Sequence, residues 1–86
     1  MNTIEKFNEN VMQTYGRYPV VAQQGENCVC TDENGKKYID FGSGIGTNSL
    51  GYCNEKWAEA VCNQAKTIQH TSNYYYTKIQ AEFAEM

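Results

Sequence analysis

Apolar residues recur at helical spacing in three parts of the chain, and they predict helices over residues 2–15, 54–69 and 77–86. The positions that form the three stripes are Ile4, Phe7, Val11 and Tyr15, then Trp57, Val61, Ala65 and Ile68, and finally Ile79 and Phe83. Helices of about 15 residues or fewer are only marginally stable alone. Each stripe is therefore expected to pack against another surface, with Trp57 as a core anchor.

The residues at the helix ends support these boundaries. Asn2 and Asn54 are suited to cap the first two helices, and Thr77 with Gln80 three residues later predicts a capping box for the third. The third helix has no stop signal before Met86. We therefore expect the last helix to be cut off and the natural chain to continue.

Between the first two helices the apolar pattern changes to the alternation that is typical of strands. Residues 20–24, 28–32 and 37–41 are the extended candidates, separated by Gly25-Glu26-Asn27 and by a turn that contains Asn34-Gly35. Asn-Gly between two strand-like runs is a specific signal for a β-hairpin. The chain is therefore predicted to have an α+β fold, with an N-terminal helix, a small three-stranded antiparallel sheet and further helices.

A glycine-rich loop, residues 42–53, follows the sheet region 20–41. Its polar residues argue against a buried strand and its apolar residues against a flexible linker, so we expect an ordered, partly buried loop. Its glycines do not form a nucleotide-binding motif. Thr47 stands where the dinucleotide fingerprint has its third glycine, and the loop contains no lysine for a P-loop.

Composition restricts the class of protein. With 86 residues the chain can form at most one small domain, and 7 basic against 10 acidic residues provide no basic patch for nucleic acid. Because nothing indicates an extracellular context, Cys28, Cys30, Cys53 and Cys62 are expected to be thiols. They lack the Cys-x-x-Cys spacing of zinc sites and His70 is the only histidine, so no metal site is expected.

Five segments carry a resemblance to a known family. They are Tyr15-Gly16-Arg17-Tyr18-Pro19-Val20, the run from Asp32 to Phe41, Ser43-Gly44-Ile45, Asn48 with Leu50-Gly51, and His70-Thr71-Ser72-Asn73 with Tyr75-Tyr76. In order and spacing they resemble the opening of the class III pyridoxal-phosphate-dependent aminotransferases, and the third and fifth segments favour the acetylornithine branch. The resemblance extends from about Tyr15 to the end of the chain.

The resemblance implies that residues 1–86 are part of the small domain of a fold-type I transferase, at its N-terminal end. It also implies a homodimer, so the partners would be the remainder of the chain and a second identical subunit, with no nucleic acid and no membrane. The substrates would be a small amino donor and 2-oxoglutarate. Carried over by position, the substrate-binding residues are Ser43, Gly44, Ile45 and Tyr76, with Asn48 and Tyr75 as secondary candidates.

Pyridoxal 5′-phosphate is the cofactor that the resemblance implies for the full-length family, and none is expected to bind this chain alone. The imine-forming lysine of the family lies outside the matched segments, and Lys66 and Lys78 have the pattern of solvated helix lysines. The expected function is that of part of a cytoplasmic N-acetylornithine:2-oxoglutarate aminotransferase of arginine biosynthesis, inactive alone. The alternatives are a freestanding dimerisation or interaction module, or part of an aminotransferase for ornithine, succinylornithine or 4-aminobutyrate.

One segment departs from the resemblance. Where the family usually has Gly-His-x-His-Pro, this chain has Gly51-Tyr52-Cys53-Asn54-Glu55. Both histidines and the proline at the helix start are therefore replaced. Because Asn54 can still cap the helix, the fold is expected to tolerate the change.

The run Tyr74-Tyr75-Tyr76 is unusual in a chain of this size. Three adjacent aromatic rings cannot all point inward in any regular element. At least one of these rings is therefore expected to face a cleft or a partner.

Overall fold

The computed structural model describes all 86 residues. The elements in chain order are α1 (Thr3–Asn10), β1 (Ala22–Glu26), β2 (Val29–Asp32), β3 (Lys37–Ile39), α2 (Ser43–Gly46), α3 (Glu55–Thr67) and α4 (Lys78–Glu85). The three strands form one antiparallel sheet in the order β1-β2-β3, which confirms the predicted α+β class. The chain divides into two compact units, residues 1–54 and 55–86.

Helix α1 begins where the sequence predicts. The side-chain oxygen of Asn2 accepts from the Glu5 N–H at 2.8 Å, and the Asn2 N–H donates to Glu5 Oε2 at 3.0 Å. This reciprocal pair is a complete capping box. The hydroxyl of Thr3 donates to Glu33 Oε2 at 2.7 Å, so the start of the helix is tied to the turn after β2.

The predicted length of this helix, residues 2–15, is wrong. The helix ends at Asn10, and the backbone of Val11 is already extended. The side-chain amide of Asn10 donates to the Lys6 carbonyl at 2.8 Å, one of the local bonds by which asparagine competes with helical pairing. Tyr15 therefore lies outside the helix, although it continues the apolar spacing.

The turn between β1 and β2 lies two residues later than predicted. Glu26 still pairs with Val29, so the reversal takes place at Asn27-Cys28. Asn27 adopts a left-handed conformation with φ of 52°, which asparagine tolerates better than most residues. Gly25 therefore lies within β1 rather than in the turn.

The hairpin predicted at Asn34-Gly35 is confirmed. The Gly35 N–H donates to the Asp32 carbonyl at 3.0 Å, and Gly35 has φ of 86°. This is a four-residue turn that ends in a left-handed glycine, a common connection between antiparallel strands. Strand β3 is shorter than the predicted 37–41, because the chain turns away at Asp40.

The two later helices are close to their predicted ranges. Helix α3 begins at Glu55 instead of residue 54 and ends at Thr67 instead of residue 69. Helix α4 begins after Thr77, as predicted, but the capping box is wrong, because the Thr77 side chain makes no capping hydrogen bond. The carbonyl of Thr77 alone accepts, from the Ala81 N–H at 3.3 Å.

No side chain of the chain is fully buried, and the helical stripes remain on the surface. The most protected stretch is β2, where all four residues are half-buried. Trp57 is 57% exposed, so its predicted role as a core anchor is wrong for this chain. Phe83 is 78% exposed. No helix combines the length and the apolar content that crossing a membrane requires.

Candidate functional site

The loop after β3 is organised by the carboxylate of Asp40. Its Oδ1 atom accepts from the Gly42 N–H at 2.8 Å and from the Ser43 N–H at 3.0 Å. Its Oδ2 atom accepts from the hydroxyl of Tyr52 at 2.5 Å. A single half-buried side chain therefore fixes both the beginning and the end of the glycine-rich loop.

The four residues of α2 (Ser43–Gly46) form a left-handed turn. Their φ values are 52°, 61°, 59° and 77° in chain order, and ψ is 40° at Gly44 and 48° at Ile45. A left-handed conformation costs about 1–2 kcal/mol for each residue with a Cβ atom, a cost that glycine avoids. Ser43 and Ile45 both carry this strain, and a β-branched residue in this region is an outlier.

Four of the predicted substrate-binding residues lie together in this loop. The Asn48 N–H donates to the Ser43 carbonyl at 2.8 Å, and the Thr47 hydroxyl donates to the Gly44 carbonyl at 2.7 Å. A Cβ atom at Gly44 would lie 2.7 Å from Thr47 Oγ1 and 3.4 Å from the Asn48 side-chain nitrogen. The turn is therefore closed on one side by Thr47 and Asn48.

The other side of the turn is open to solvent. Ile45 is 99% exposed and Phe41 is 92% exposed. The expected partial burial of the loop is found instead at Ser43, Gly51 and Tyr52, which are half-buried. The loop is ordered by hydrogen bonds to its own backbone and to Asp40 rather than by apolar packing. An apolar side chain fully exposed on a strained turn is available for contact with a ligand or a partner.

Tyr52 connects the end of the loop to the first hairpin. Its carbonyl accepts from the Asn27 N–H at 3.2 Å, and its N–H donates to the Asn27 carbonyl at 2.7 Å. Its ring lies against Gly25, where a Cβ atom would come within 2.5 Å of the Tyr52 ring carbon Cγ. The glycine within β1 therefore makes room for this ring.

The pairing of Asp40 with Tyr52 changes the ionisation of both groups. The hydrogen bond from the Tyr52 hydroxyl, followed by those from the Ser43 and Gly42 N–H groups, lowers the pKa of Asp40 from its ordinary 3.8. The hydrogen bond to Asp40, with partial burial and the nearby Cys30 thiol, raises the pKa of Tyr52 from 10.0 to about 12. Near neutral pH the pair is therefore a carboxylate and a protonated phenol.

Sequence reasoning missed Asp40 and Tyr52 as organisers of the loop. An aspartate two residues before a glycine is a signal for a side-chain-closed turn, and this signal was present at Asp40. Tyr52 carried no local signal, because its partner lies 12 positions away.

The remaining candidates, Tyr75 and Tyr76, belong to the second unit, residues 55–86. The Tyr75 N–H donates to the Ser72 carbonyl at 3.1 Å, which closes a turn before α4. The two rings line an open groove together with Thr77 and residues of α4. Tyr76 is fully exposed, as expected for at least one of the three adjacent tyrosines.

The residues of this chain do not form a pyridoxal phosphate site by themselves. The N–H groups of Gly42 and Ser43, which could bind a phosphate, are already bonded to Asp40. Lys66 is exposed, and Lys78 is 89% exposed in a 3.7 Å ion pair with Glu82. Neither lysine has the buried surroundings that are typical of an imine-forming amine.

The cysteine, histidine, aspartate and glutamate side chains do not form a metal site either. All four cysteines are free thiols. No group of three or more histidine, cysteine, aspartate or glutamate side chains is placed to hold a metal ion.

The family model and the curated relatives that match this chain point to the same family. The family model described as Aminotransferase class-III matches residues 11–86. The chain is 49% identical over 84 residues to an acetylornithine aminotransferase of Methanosarcina acetivorans, covering 98% of this chain and 21% of that enzyme. It is 44% identical over 85 residues to an acetylornithine aminotransferase of Archaeoglobus fulgidus, covering 99% and 23%. The chain therefore spans about a fifth of the length of these curated relatives.

Solved structures share the fold. The crystal structure of acetylornithine aminotransferase from Elizabethkingia anophelis superposes with a TM-score of 0.92 at 32% identity, over 95% of this chain and 21% of that chain. An ornithine aminotransferase from Toxoplasma gondii superposes with a TM-score of 0.82 at 29% identity, over 87% and 17%. The latter was described with partial occupancy of PLP at its active site. The fold of this chain is thus similar to one segment of both enzymes.

Proposed function

The chain belongs to the class-III aminotransferase family, and we propose that it is the N-terminal part of an enzyme that transfers the amino group of N-acetylornithine to 2-oxoglutarate. The observation that carries this proposal is the 49% identity with an acetylornithine aminotransferase along nearly the whole chain. The reaction belongs to arginine biosynthesis, and we propose a cytoplasmic location as for other enzymes of intermediary metabolism.

We assign the glycine-rich loop to the entrance of the amino-donor site. In this assignment Ser43, Gly44 and Ile45 contact the donor, and Asn48 supports them. The strained left-handed turn supports the assignment, because backbone strain is concentrated at ligand sites and persists only where the surrounding bonds maintain it. The full exposure of Ile45 supports it as well, since this side chain is free to line a pocket completed by other parts of the enzyme.

In the second unit, Tyr76 is proposed to contact the donor in the full enzyme, with Tyr75 beside it. The support is the exposure of both rings in an open groove before α4. A tyrosine ring provides apolar area with a polar hydroxyl at its tip, which suits a donor that has an aliphatic chain and polar ends.

The class-III relatives imply pyridoxal phosphate in the full-length family. When bound, this cofactor supplies the electron sink for removal of a proton from the carbon atom that carries the free amino group of the donor. The residues of this chain would orient the donor and exclude water from it, while the remainder of the enzyme and a second identical subunit would hold the cofactor. Residues 1–86 are accordingly proposed as part of a small domain rather than as an independent catalytic unit.

A chimera tests the proposal directly. This chain replaces the matching segment of the Methanosarcina acetivorans acetylornithine aminotransferase, and amino transfer from N-acetylornithine to 2-oxoglutarate is measured beside the parent enzyme. We expect a dimeric, cofactor-loaded chimera that uses N-acetylornithine. A loaded chimera that prefers ornithine, succinylornithine or 4-aminobutyrate would assign the chain to another branch of the family. A loaded dimer without any transaminase activity would favour the interaction module.

The isolated chain provides a second test. After incubation with pyridoxal phosphate and reduction with borohydride, we expect no single lysine to be modified stoichiometrically, because all six lysines of the chain are exposed. Peptide mass spectrometry measures the modification at each site. Complete modification of one lysine would contradict the assignment of cofactor binding to the remainder of the enzyme.

A further inference from the structure

The left-handed turn α2 has no apolar packing that could hold it. Ile45 is 99% exposed, and no residue of the turn is buried. The strain at Ser43 and Ile45, about 1–2 kcal/mol for each, must therefore be opposed by hydrogen bonds. Within the turn the Gly46 N–H donates to the Gly42 carbonyl at 3.0 Å. At its exit, Thr47 and Asn48 donate to the carbonyls of Gly44 and Ser43. The bonds that define its entry run from Gly42 and Ser43 to one acceptor, Oδ1 of Asp40.

The carboxylate of Asp40 is itself held in place. Its second oxygen accepts from the Tyr52 hydroxyl, and Tyr52 is fixed by its backbone pair with Asn27 and by the contact of its ring with Gly25. A continuous chain of contacts therefore runs from the β1–β2 hairpin through Tyr52 and Asp40 to the first N–H groups of the turn. Hydrogen bonds to a carboxylate are stronger than those between neutral groups, which suits this role.

We propose that Asp40 and Tyr52 are positioning residues of the donor-binding loop, which hold Ser43–Gly46 in its left-handed conformation from the β1–β2 hairpin. Asp40 is not assigned a contact with the donor, because both of its oxygens are already bonded within the loop. The inference rests on the proposed function only in taking this turn as part of the donor site.

The first test follows the loop itself by NMR of the 86-residue chain. Tyr52→Phe removes the hydroxyl and keeps the ring on Gly25, and Tyr38→Phe is the matched control, because Tyr38 donates to Asp32 in the same way at 3.0 Å. We expect the Cα and Cβ shifts of Ser43 and Ile45 to move from left-handed toward averaged values in Tyr52→Phe alone. The acid titration of the Gly42 and Ser43 N–H shifts should also move to higher pH in this variant.

Two NMR results would overturn the inference. One is a left-handed signature at Ile45 that is unchanged in Tyr52→Phe. The other is an equal change in Tyr38→Phe, which would point to a general loosening of the unit. A variant that unfolds is recognised by loss of the Asn27–Tyr52 backbone pairing, and Asp40→Asn, which keeps a neutral acceptor at the same place, then replaces it in the same comparison.

The second test is kinetic and uses the chimera described above. In Tyr52→Phe the KM for N-acetylornithine should rise about threefold to tenfold with kcat nearly unchanged, as expected when a binding surface becomes less populated. Tyr38→Phe should leave both constants unchanged. An active chimera whose KM is insensitive to Tyr52→Phe would overturn the positioning role. An unmutated chimera that rejects N-acetylornithine would instead contradict the proposed function, while the NMR result still decides the role of Asp40 and Tyr52.

Discussion

Two aspartate and tyrosine pairs hold two neighbouring turns of the same unit by one hydrogen-bond pattern. In the hairpin turn, Asp32 Oδ1 accepts from the Asn34 and Lys36 N–H groups, both at 2.9 Å, and Oδ2 accepts from the Tyr38 hydroxyl at 3.0 Å. In the glycine-rich loop, the carboxylate of Asp40 makes the corresponding bonds, with the Tyr52 hydroxyl at 2.5 Å. The two turns nevertheless differ in conformation and in span.

The hairpin pair stabilises a turn that the local sequence already favours. Tyr38 lies six positions after Asp32, and Gly35 is the residue that carries the positive φ there. The pair in the loop spans 12 positions and acts on a turn where two residues with side chains have positive φ. The same pattern of bonds therefore assists a favourable turn in one place and maintains an unfavourable one in the other.

The main cause of the shifted tyrosine pKa differs between the two pairs. For Tyr38, partial burial is the main cause of a raised pKa, and the bond to Asp32 adds to it. For Tyr52, the bond to Asp40 is the main cause. Partial burial opposes the lowering of the Asp32 pKa and is outweighed by bonds from Lys36, Tyr38 and Asn34. The hydrogen bond to the carboxylate is thus the main influence on the pKa of the tyrosine in the loop pair, and partial burial is the main influence in the hairpin pair.

The largest expected effect comes from placing a methyl group at a left-handed glycine of each region. A Cβ atom at Gly51, where φ is 81°, would lie 2.8 Å from the Asn27 carbonyl oxygen, whereas one at Gly35 would meet nothing within 4 Å. We expect Gly51→Ala to cost about 3 kcal/mol, combining strain with overpacking, and Gly35→Ala about 1 kcal/mol. These costs correspond to about 150-fold and fivefold losses of amide protection.

Hydrogen exchange measures these losses. The reporters are the Asn27 and Tyr52 N–H groups for the loop and the Gly35 N–H group for the hairpin. Equal losses in the two variants would show that the loop is not attached to the hairpin through the pairing of Asn27 with Tyr52.

The second prediction removes each carboxylate. In Asp40→Ala the Gly42 and Ser43 N–H groups lose their acceptor, and we expect about tenfold less protection there together with loss of the left-handed turn. In Asp32→Ala the hairpin keeps its backbone bonds and its glycine, so we expect no more than about threefold less protection. Amide exchange and Cα shifts provide the measurement. If Asp32→Ala disrupts the hairpin turn as completely as Asp40→Ala disrupts the loop, the two carboxylates do not differ in importance as we expect.

The sequence was sufficient wherever a local pattern determined the structure. Asn34-Gly35 identified the second hairpin, and Asn2 identified the start of α1. The end of α1 was misplaced, because the apolar spacing continues to Tyr15 although the asparagines before it disfavour a longer helix. Contacts between residues that are far apart in the sequence could not be predicted from local patterns. Gly25 was therefore placed in a turn, when its function is to admit the ring of Tyr52.

The candidate site was recognised only as a set of positions. Glycines at 42, 44 and 46 indicated a bend, and the resemblance selected Ser43, Gly44 and Ile45, but nothing in their spacing predicted a left-handed turn. That conformation depends on bonds from Asp40 and on a tyrosine far along the chain. The donor contacts assigned to Ser43, Gly44, Ile45, Asn48, Tyr75 and Tyr76 stay predictions.

The third prediction concerns alkaline pH. The pKa of Tyr52 is about 12 in the folded chain against an ordinary 10.0, so the protonated phenol is the form that the fold favours. Its contribution is complete below pH about 10 and is lost as the pH rises through about 12. We expect the population of the left-handed conformation at Ile45, followed by its Cα and Cβ shifts, to fall about fivefold in this pH range.

The ionisation of Tyr52 can be followed through the ζ-carbon shift of its labelled ring. In the Asp40→Asn variant, Tyr52 should ionise at lower pH, because the charge that opposes its deprotonation is absent. A Tyr52 that ionises near pH 10 in the unmodified chain would contradict the direct coupling of this pair.

The smallest expected effect tests whether Asp40 and Tyr52 act against strain at all. Ile45→Gly relieves the left-handed cost at one residue but gives the unfolded chain more freedom, so the net gain in turn population is only about threefold. Ile45→Val keeps the β-branched strain and is the matched control, with no gain expected.

The informative measurement is the combination of each Ile45 substitution with Tyr52→Phe. If the tyrosine holds a strained backbone, Ile45→Gly should restore most of the left-handed Cα shifts at Ser43 and Gly44 that Tyr52→Phe removes, whereas Ile45→Val should restore none. Left-handed shifts that stay as low in the double variant as in Tyr52→Phe alone would mean that Tyr52 stabilises the loop in some other way than by opposing the strain at Ile45.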